Sequence, residues 1–475
     1  MNLLIDKKID LENDNYVTIV KIMNVIIDKN LQIVNDITEI YSHASPHKIR
    51  GLIEKHFIPT NEEKKNNAEI PTPVALVDEM LNVIPEEFWT TPHKVFEPCC
   101  GKGNFVLGIF DKFYEGLKEE YDDEIERCEV IMTKCLYYAD LTTMNVFITT
   151  EILKCHIQSY TGQEELDYTF NSYTGDTLDP KAKKSFKIEK FDAVIGNPPY
   201  STDPSKPDSK SLYDKFTEQY IDDEKLLFVV PSRWFVGGKG LEKFRKMMME
   251  RKDIVLINHE DDSKKWFGNK IVIEGGVNYF LKDSGHNGNC VFNEKIYDLS
   301  KYDCVIKPEF HKIIDIVKQT DSIDKVYMGR YFKIETNDKR YKDEGNIKCF
   351  VSVKQSKDRC KYIDEYIFNE KNTFWKVITA RANGKSPRFG AMFIGKPDEI
   401  HTGSYISFRV ENEEEAKSLM SYLQTKIVNH LLSIRKISQD ISENTCKWIP
   451  LVPLDRIWTD DLVCEYLKID KNLYM

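Results

Sequence analysis

The sequence predicts an α/β protein whose larger part is built on a mostly parallel sheet. From about residue 68 to about residue 285, short apolar runs alternate with amphipathic stretches, which is the strand–helix alternation that a parallel sheet requires. Two of the apolar runs, 95–96 and 191–196, end abruptly in motifs that cannot continue a strand. The chain has 475 residues and 41% hydrophobic residues, which is enough for two or three domains with sizeable cores.

The run 191–196 has the pattern of a buried parallel strand, and it is followed by Asn197-Pro198-Pro199-Tyr200. Two adjacent prolines cannot continue a sheet, so this tetrapeptide is expected to form a rigid turn at the carboxyl end of the strand. Ligands bind at that end of the strands in open α/β sheets. The amide, the proline carbonyls and the aromatic ring suit a planar base with an exocyclic amine. The alternative is a strand followed by a proline turn without function.

A second motif, about one hundred residues upstream, also follows an apolar run. Glu97 ends the strand, and Gly101 and Gly103 form a tight turn that opens an amphipathic helix. Glycines at these positions allow a ligand to approach the backbone closely. A dinucleotide-binding turn would have a third glycine where Val106 stands, so a cofactor with less anionic charge than a pyrophosphate is favoured.

Together the two motifs resemble those of the S-adenosylmethionine-dependent amino-methyltransferases of DNA, in the adenine-N6 branch. The cofactor motif comes first, Asn197-Pro198-Pro199-Tyr200 second and the region suited to recognition last, which resembles the gamma arrangement of restriction–modification systems. The resemblance spans roughly residues 70 to 282. It implies a Rossmann-like fold with a mostly parallel seven-stranded sheet, S-adenosyl-L-methionine as the cofactor and duplex DNA as the substrate.

The resemblance also implies roles for individual residues. The residues at cofactor-binding positions are Thr72, Glu97, Pro98, Gly101, Gly103, Asp140, Asp176 and Asn197. The residues at catalytic positions around the target base are Asn197, Pro198, Pro199, Tyr200 and Phe267. Thr72 would contact the methionine part of the cofactor, Asp140 its ribose hydroxyls, and Asp176 would lie beside its adenine. Phe267 would be a second aromatic against the extruded base.

The pattern divides the chain into three regions. Residues 1–66 carry isoleucines near helical spacing and predict a short helical N-terminal region. Residues 67–285 form the predicted catalytic domain, which a turn cluster at 284–289 ends. Residues 286–475 have short β-like runs and long polar connections, and we interpret them as a mixed α+β target-recognition domain. A single helix is expected near its end, with one apolar face formed by Leu419, Leu423, Ile427, Leu431 and Ile434.

The net charge of −10 and the isoelectric point of about 5.7 have the wrong sign for a protein that binds a polyanion. Affinity for DNA must then come from local clusters of cations. Residues 371–390 form a basic, aromatic, loop-like segment, as groove contact requires, and an arginine at a strand end could meet a phosphate. The residues expected to bind DNA are Arg233, Lys376, Arg381, Lys385 and Arg388. The alternative for 371–390 is a solvated surface loop.

Other features exclude some classes of protein. No apolar run approaches the roughly 18 residues of a membrane span, and residues 1–30 lack a signal-peptide pattern, so a cytoplasmic protein is expected. The eleven cysteines lack paired Cys-x-x-Cys spacing, which argues against a metal site and a disulfide framework. Richness in Lys, Asn and Ile indicates an AT-rich genome, bacterial or viral. Residues 1–66 are too short for a fused nuclease, so a separate restriction endonuclease is left open as a partner.

The predicted reaction is a direct, in-line methyl transfer to N6 of adenine after the base has flipped out of the duplex. Asn197 and the Pro198 carbonyl would accept the two N–H groups of the amine, and Tyr200 would stack on the base. Three alternatives stay open: an RNA adenine methyltransferase, a protein glutamine methyltransferase and a catalytically silent DNA-binding subunit. Cytosine-N4 transfer is less favoured, because relatives with that activity more often have Ser as the first residue of the tetrapeptide.

Overall fold

The computed structural model describes ten segments of the chain, which belong to two compact units. The segments are residues 31–41, 44–56, 70–202, 209–237, 240–268, 271–351, 360–366, 373–384, 386–436 and 439–474. The first unit comprises residues 1–231 and 252–293, and the second comprises 232–251 and 294–475. Lys385, one of the residues expected to bind DNA, lies outside the described residues. The division into domains at 66 and 285 stays a prediction.

The first unit is built around a large, mostly parallel sheet. Its strands are β1 Val95–Glu97, β2 Leu136–Asp140, β3 Asn171–Thr174, β4 Ala193–Gly196, β5 Lys225–Pro231, β6 Ile254–Glu260, β7 Val277–Asp283 and β8 Cys290–Phe292. They lie side by side in the order β3-β2-β1-β4-β5-β7-β6-β8. β7 runs antiparallel to β5 and β6, and the other neighbouring pairs are parallel. The predicted Rossmann-like α/β class is confirmed, and β8 extends the sheet beyond the seven predicted strands.

The central strands are continuously apolar because both faces of the sheet are covered. β2 is buried at all five positions and β4 at all four. The helices that belong to this unit are α1 (residues 31–41), α2 Pro46–His56, α3 Val74–Leu81, α4 Glu86–Trp89, α5 Asn104–Gly116, α6 Glu124–Val130, α7 Thr143–Thr161, α8 Lys181–Phe186 and α9 Tyr213–Tyr220. α6 continues as a π-helical turn at Ile131–Cys135. α10 Glu242–Glu250 lies in the second unit, and α11 Lys264–Phe267 is again in the first.

The N-terminal helices pack into the first unit. Tyr41, Ile49 and Ile53 are at most 2% exposed and belong to the hydrophobic core that contains the sheet. Arg50 of α2 forms an ion pair with Asp78 of α3, with 2.7 Å between Nη1 and Oδ1. The predicted helical character is present at residues 31–41 and 46–56, and these helices share the core of the sheet, whereas residues 1–30 and 57–66 lie outside the described residues.

The second unit combines two small sheets with helices. After β9 Lys295–Tyr297, one sheet has β10 Ile347–Phe350 between β11 Cys360–Ile363 and β14 Ile400–His401, and the other has β12 Trp375–Ala380 between β13 Met392–Gly395 and β15 Tyr405–Val410. Its helices are α10, α12 His311–Val317, α13 Glu413–Leu423, α14 Lys426–Arg435, α15 Glu443–Cys446 and α16 Asp460–Leu467. Short 3₁₀ helices occur at Ser232–Phe235, Leu299–Lys301, Pro308–Phe310, Ile323–Val326 and Lys471–Leu473. This is the mixed α+β organisation predicted for the C-terminal region.

The single helix expected near the C-terminus is in fact two helices. α13 ends at Leu423 and α14 begins at Lys426, because Thr425 between them is extended, with φ −63° and ψ 151°. Asn429 Nδ2 donates to Leu423 O at 3.1 Å and to Thr425 O at 2.7 Å, which satisfies carbonyls left free at the break. The single-helix prediction is wrong here, since apolar spacing alone does not register the change of direction.

Three general features bear on the class of protein. No helix in the described segments is long and apolar enough to cross a membrane. All eleven cysteines lie in described segments and are free thiols. Within the same segments, no group of three or more His, Cys, Asp and Glu side chains is placed to hold a metal ion.

Candidate active site

The two predicted motifs meet at the carboxyl edge of the sheet, because β1 and β4 are parallel neighbours. Glu97 is the last residue of β1, and Gly196 is the last residue of β4. A Cβ on Gly196 would lie 2.3 Å from Glu97 Oε1, so only glycine leaves room for the carboxyl group. The acid of the first motif therefore lies directly beside the start of Asn197-Pro198-Pro199-Tyr200.

The glycine turn fits closely between the end of β2 and α7. Gly101 N–H donates to Asp140 Oδ2 at 3.0 Å. Gly101 and Gly103 have φ of 51° and 96°, a left-handed backbone that glycine adopts without steric cost. A Cβ on Gly103 would also come within 3.1 Å of Thr149 Cγ2 in α7. The predicted turn is thus present, and both glycines are required by its backbone.

Glu97 is a carboxyl group in the interior of the site. Glu97 is 1% exposed, and its Oε1 accepts a hydrogen bond from Cys99 N–H at 2.9 Å. Burial raises the pKa of Glu97 to about 8, which the Cys99 N–H opposes and the charge of Asp140 reinforces. The adjacent Pro98 is buried as well, and its carbonyl accepts from Thr177 Oγ1 at 3.1 Å. A carboxyl group in this setting favours a cationic ligand, because positive charge nearby stabilises its ionised form.

The two further acids predicted to bind the cofactor differ in their surroundings. Asp140 is 8% exposed, and its Oδ1 accepts from Thr142 N–H and Oγ1, both at 2.9 Å, and from Asn145 Nδ2 at 3.1 Å. Asp176 is exposed. Gly175 N–H donates to Asp140 O at 2.9 Å, which brings Asp176 next to Asp140 at the same edge of the sheet. The predicted cofactor acids therefore lie together, one fixed by hydrogen bonds and one open to solvent.

Asn197 is held by the segment that precedes α3. Its Nδ2 donates to Ile70 O at 3.1 Å and to Thr72 Oγ1 at 3.0 Å. Its Oδ1 is buried and has no hydrogen-bond partner in the described part of the chain. Asn104, the first residue of α5, donates from Nδ2 to Thr72 O at 2.7 Å. The structure thus joins Thr72, the glycine turn and Asn197 into one hydrogen-bonded group.

Tyr200 combines a buried hydroxyl group with a partly exposed side chain. The residue is half-buried, whereas its Oη is inaccessible to solvent. Burial raises the pKa of Tyr200 well above its ordinary value, and the nearby Asn197 side chain counters only part of that shift. Neither the hydroxyl nor Asn197 Oδ1 makes a hydrogen bond of good geometry within the described residues. Pro198 is buried and Pro199 half-buried, so the exposed part of Tyr200 is available to a planar ligand.

Phe267 lies in a different environment from the one its predicted role requires. It is 7% exposed and packs in the hydrophobic core of the first unit. Its neighbour Trp266 is half-buried and lies 5.4 Å from Tyr279, measured between ring centroids. Contact between Phe267 and a base stays a prediction, and it requires that side chain to leave the core.

Sequence reasoning missed two contributors to this site. The Ile70 carbonyl and Asn104 hold Asn197 and Thr72, as described above. The signal for Asn104 was available, since it is a polar residue at the start of an otherwise apolar helix. The contact through Ile70 was not, because a backbone carbonyl carries no sequence signature.

The residues expected to bind DNA in the second unit have different degrees of exposure. Arg233 and Arg388 are exposed and have no ion-pair partner among the residues that the structure describes. Arg381 is half-buried, with 3.7 Å between its Nη1 and Asp440 Oδ2. Its backbone N–H donates to Ser404 O at 3.0 Å. The exposed Arg330 lies beside the same turn, because a Cβ on Gly403, which precedes Ser404, would lie 3.4 Å from Arg330 Cδ.

Lys376 corrects the prediction made from its segment. It is 0% exposed, and its Nζ donates to Lys396 O and, at 2.8 Å, to Glu399 O. The ammonium group also lies over the rings of Phe332 and Phe374, 5.5 Å and 5.2 Å from their centroids. Burial lowers the pKa of Lys376 to about 8. An amine enclosed in this way cannot reach DNA, so Lys376 is removed from the expected contacts.

Comparison with known proteins assigns a class to this geometry. Residues 134–267 match the family model described as Eco57I restriction-modification methylase. The matched family is one of methyltransferases. The resemblance to methyltransferases of restriction–modification systems, which the two motifs indicate, is thereby confirmed. The matched range contains Asp140, Asp176 and Asn197, whereas the glycine turn lies before it.

The chain is also similar to individual proteins. A protein from Mycoplasma pneumoniae described as an uncharacterized adenine-specific methylase is 25% identical over 360 residues, which are 61% of this chain and 85% of that protein. The nuclease-deleted Type ISP restriction-modification enzyme LlaGI is 13% identical, with 81% of this chain and 45% of that chain covered and a TM-score of 0.49. The methyltransferase subunit of a type I system from Streptococcus thermophilus is 16% identical, with 50% of each chain covered and a TM-score of 0.34. The chain spans about half the length of these two structures.

Proposed function

We propose that this chain transfers a methyl group from S-adenosylmethionine to the exocyclic N6 of adenine in a specific sequence of duplex DNA. The state of Asn197 carries the proposal: both bonds of its Nδ2 are made, and its Oδ1 is buried without a partner in the described residues. A buried acceptor without a donor is costly, so it indicates that a ligand supplies the missing hydrogen bond. An exocyclic amine provides that donor.

The residues at the sheet edge fit S-adenosylmethionine. The cofactor carries a sulfonium group and an ammonium group, and Glu97 is a buried carboxyl whose raised pKa makes it responsive to added positive charge. Gly101 and Gly103 allow close approach of the ligand to the backbone. Asp140 and Asp176 would take the ribose and the region beside the cofactor's adenine. When bound, the cofactor supplies a methyl group that is electrophilic because its sulfur is positively charged.

The chain's own contribution to the transfer is the alignment of the amine. The amine of adenine is a weak nucleophile, because its lone pair is delocalised into the ring. Asn197 Oδ1 and the Pro198 carbonyl would accept its two N–H groups and so localise the lone pair on nitrogen. Acceptors that are fixed before the reaction also stabilise the positive charge that develops there. Positioning then accounts for most of the acceleration, and the final proton is lost to water.

The base has to leave the duplex to reach Asn197. Flipping costs a few kcal/mol in unstacking and unpairing, which stacking on an aromatic ring and new hydrogen bonds offset. The half-buried Tyr200 would provide the ring, and the proposal is supported by its buried hydroxyl and the partial exposure of the rest of its side chain. Phe267 would be the second aromatic only after a movement out of the core.

Duplex DNA and adenine are favoured by two observations of unequal weight. The relative from Mycoplasma pneumoniae is described as an adenine-specific methylase. In the second unit, Arg233 and Arg388 are exposed. Arg330 and Arg381 both lie beside the turn at residues 403 and 404. Since the net charge is −10, such local groups would have to supply the attraction to phosphates. A separate restriction endonuclease as a partner belongs to the same proposal.

The test is methyl incorporation from labelled S-adenosylmethionine into unmethylated duplex DNA, followed by mass spectrometry of the nucleosides. The proposal expects N6-methyladenine from the parent protein and almost none from Asn197→Ala, which should still bind the cofactor. Absence of a DNA product while the cofactor binds would overturn DNA as the acceptor. Parallel assays on RNA and on a glutamine-containing protein would then identify the alternative acceptors. Absence of cofactor binding would indicate a silent subunit.

A further inference from the structure

The Asn197 amide has only one orientation that satisfies its surroundings. Its Nδ2 faces Ile70 O at 3.1 Å and Thr72 Oγ1 at 3.0 Å. A backbone carbonyl can only accept a hydrogen bond, so the amide atom that faces Ile70 must be the nitrogen. If the amide were flipped, Oδ1 would face the Ile70 carbonyl, and two buried acceptors would oppose each other. The oxygen of Asn197 is therefore directed away from this segment and is left as an acceptor.

We infer that Thr72 is a positioning residue for methyl transfer, because its hydroxyl group and the Ile70 carbonyl together fix the Asn197 amide with Oδ1 toward the target amine. This inference rests on the proposed function and adds a role to Thr72, for which only cofactor contact was expected. Thr72 is 4% exposed, and its hydroxyl is the side-chain half of the pair that holds Nδ2. The contact joins residues 125 positions apart in the sequence.

Asn104 extends this arrangement to the cofactor turn. Its Nδ2 donates to Thr72 O at 2.7 Å, and it directly follows Gly103 in the chain. Because Asn104 is 7% exposed and begins α5, it ties the backbone of Thr72 to a rigid element. The glycine turn, Thr72 and Asn197 then keep a fixed spacing, so the methyl donor and the acceptor of the amine are held relative to each other.

The arrangement also predicts which groups the site accepts. With Nδ2 occupied by the protein, Asn197 presents an acceptor and no donor. An amine of the target satisfies that acceptor, whereas a keto oxygen at the same position would leave two acceptors facing each other. Sites that hydrogen-bond a substrate group discriminate strongly against analogues that lack it, since buried polar groups are left unpaired. Loss of the Thr72 hydroxyl should reduce this discrimination, because the amide could then rotate more freely.

The experiment compares Thr72→Val, which keeps the shape and removes the acceptor, with Thr72→Ser, which keeps the hydroxyl. In the full chain, we measure kcat for methyl transfer to unmethylated duplex DNA and the Kd of S-adenosylmethionine by calorimetry. Thr72→Val should lower kcat by about 10- to 100-fold, as expected when a reacting group is misplaced by a fraction of an ångström to one ångström. Because Thr72 is also expected to contact the cofactor, kcat is measured at saturating S-adenosylmethionine, so that a change in Kd does not lower it, and Thr72→Ser should restore most of kcat. A raised Kd with unchanged kcat would overturn the inference and leave Thr72 as a cofactor contact only.

A second measurement does not depend on methyl transfer. The melting temperatures of Thr72→Val, Asn197→Ala and the double variant form a thermodynamic cycle. Because both single changes break the same contact, the loss in the double variant should be clearly smaller than the sum of the two single losses. Additive losses would overturn the contact even if the parent methylates DNA. If the parent does not methylate DNA and the losses are non-additive, the proposed function fails while the contact stands. Should Thr72→Val not fold, Thr72→Ala takes its place in both measurements.

Discussion

The carboxyl group of Glu97 fills the position that a Cβ of Gly196 would take, at the ends of two neighbouring strands. A Cβ on Gly196 would lie 2.3 Å from Glu97 Oε1 and 2.8 Å from the carboxyl carbon. The two residues are 99 positions apart in the sequence, yet any side chain at 196 would have to displace the Glu97 carboxyl group, which is buried, with 1% of Glu97 exposed. The glycine before Asn197 therefore borders the Glu97 carboxyl group as well as ending the strand.

Gly196→Ala should weaken both stability and cofactor binding. The added methyl group has to displace a buried carboxyl group, and overpacking of this kind typically costs about 1 to 3 kcal/mol. Thermal unfolding should show a melting temperature several degrees below that of the parent, and the Kd of S-adenosylmethionine should rise. Gly51→Ala is the matched control: Gly51 is in α2, and a Cβ there meets nothing within 4 Å. That change should be neutral or stabilising, because alanine favours helices. An unchanged melting temperature for Gly196→Ala would contradict the packing seen here.

Glu97→Gln should change the pH dependence of stability in a defined direction. In the folded protein the pKa of Glu97 is raised to about 8 by burial, so the folded state binds this proton more tightly than the unfolded chain does. The contribution of Glu97 to the free energy of unfolding therefore falls as pH rises from about 4.5 to about 8, by about 1.4 kcal/mol per pH unit at most. Glutamine does not titrate, so the free energy of unfolding of the variant should rise relative to that of the parent as the pH increases across this window. Melting temperatures of both proteins at pH 5, 6, 7 and 8 measure it, and a constant difference would contradict the prediction.

Cofactor binding should release a proton from Glu97 at neutral pH. The pKa of Glu97 is about 8 in the protein without ligand. A cationic ligand stabilises the carboxylate, so this pKa should be lower in the complex. Calorimetric titrations with S-adenosylmethionine at pH 7, in buffers of different ionisation enthalpy, report the number of protons exchanged. The amino group of the cofactor titrates in the same range, so Glu97→Gln supplies the baseline. The parent should release more protons than the variant, and equal release by both proteins would exclude ionisation of Glu97 on binding.

Much of the fold and part of the site could be predicted from local sequence. The strand before Asn197 and the glycine turn after Glu97 were both identified, because prolines and glycines restrict the backbone in known ways. What held Asn197 could not be read from local pattern, since Thr72 lies 125 residues away and Ile70 contributes only a carbonyl. These contacts depend on the register of the whole sheet, which a single sequence does not specify.

The error at Lys376 has a different cause. Composition predicts one basic surface segment over residues 371–390, but β12 lies within it, between β13 and β15. A central strand buries side chains that a composition count treats as exposed. The Lys376 amine is compensated there by two carbonyls and two aromatic rings, of which only the Phe374 ring is near it in the sequence, two positions away. Charge alone could not separate this lysine from Arg388.

Arg388→Ala and Lys376→Met should therefore affect different properties: the first should weaken DNA binding, and the second should lower stability. Arg388 is exposed, so its loss should weaken DNA binding and reduce the slope of log affinity against log salt by up to about one, without a change in melting temperature. Lys376 is buried, and its loss leaves the carbonyls of Lys396 and Glu399 without their donor, at a cost of about 1 to 3 kcal/mol. Thermal unfolding and fluorescence anisotropy with labelled duplex DNA at several salt concentrations separate the two effects. If Lys376→Met kept its melting temperature and lost salt-dependent affinity, Lys376 would be a DNA contact after all. If Arg388→Ala bound DNA with the salt slope of the parent, the segment would be a solvated loop, and Arg330 and Arg381 would be the next positions to change.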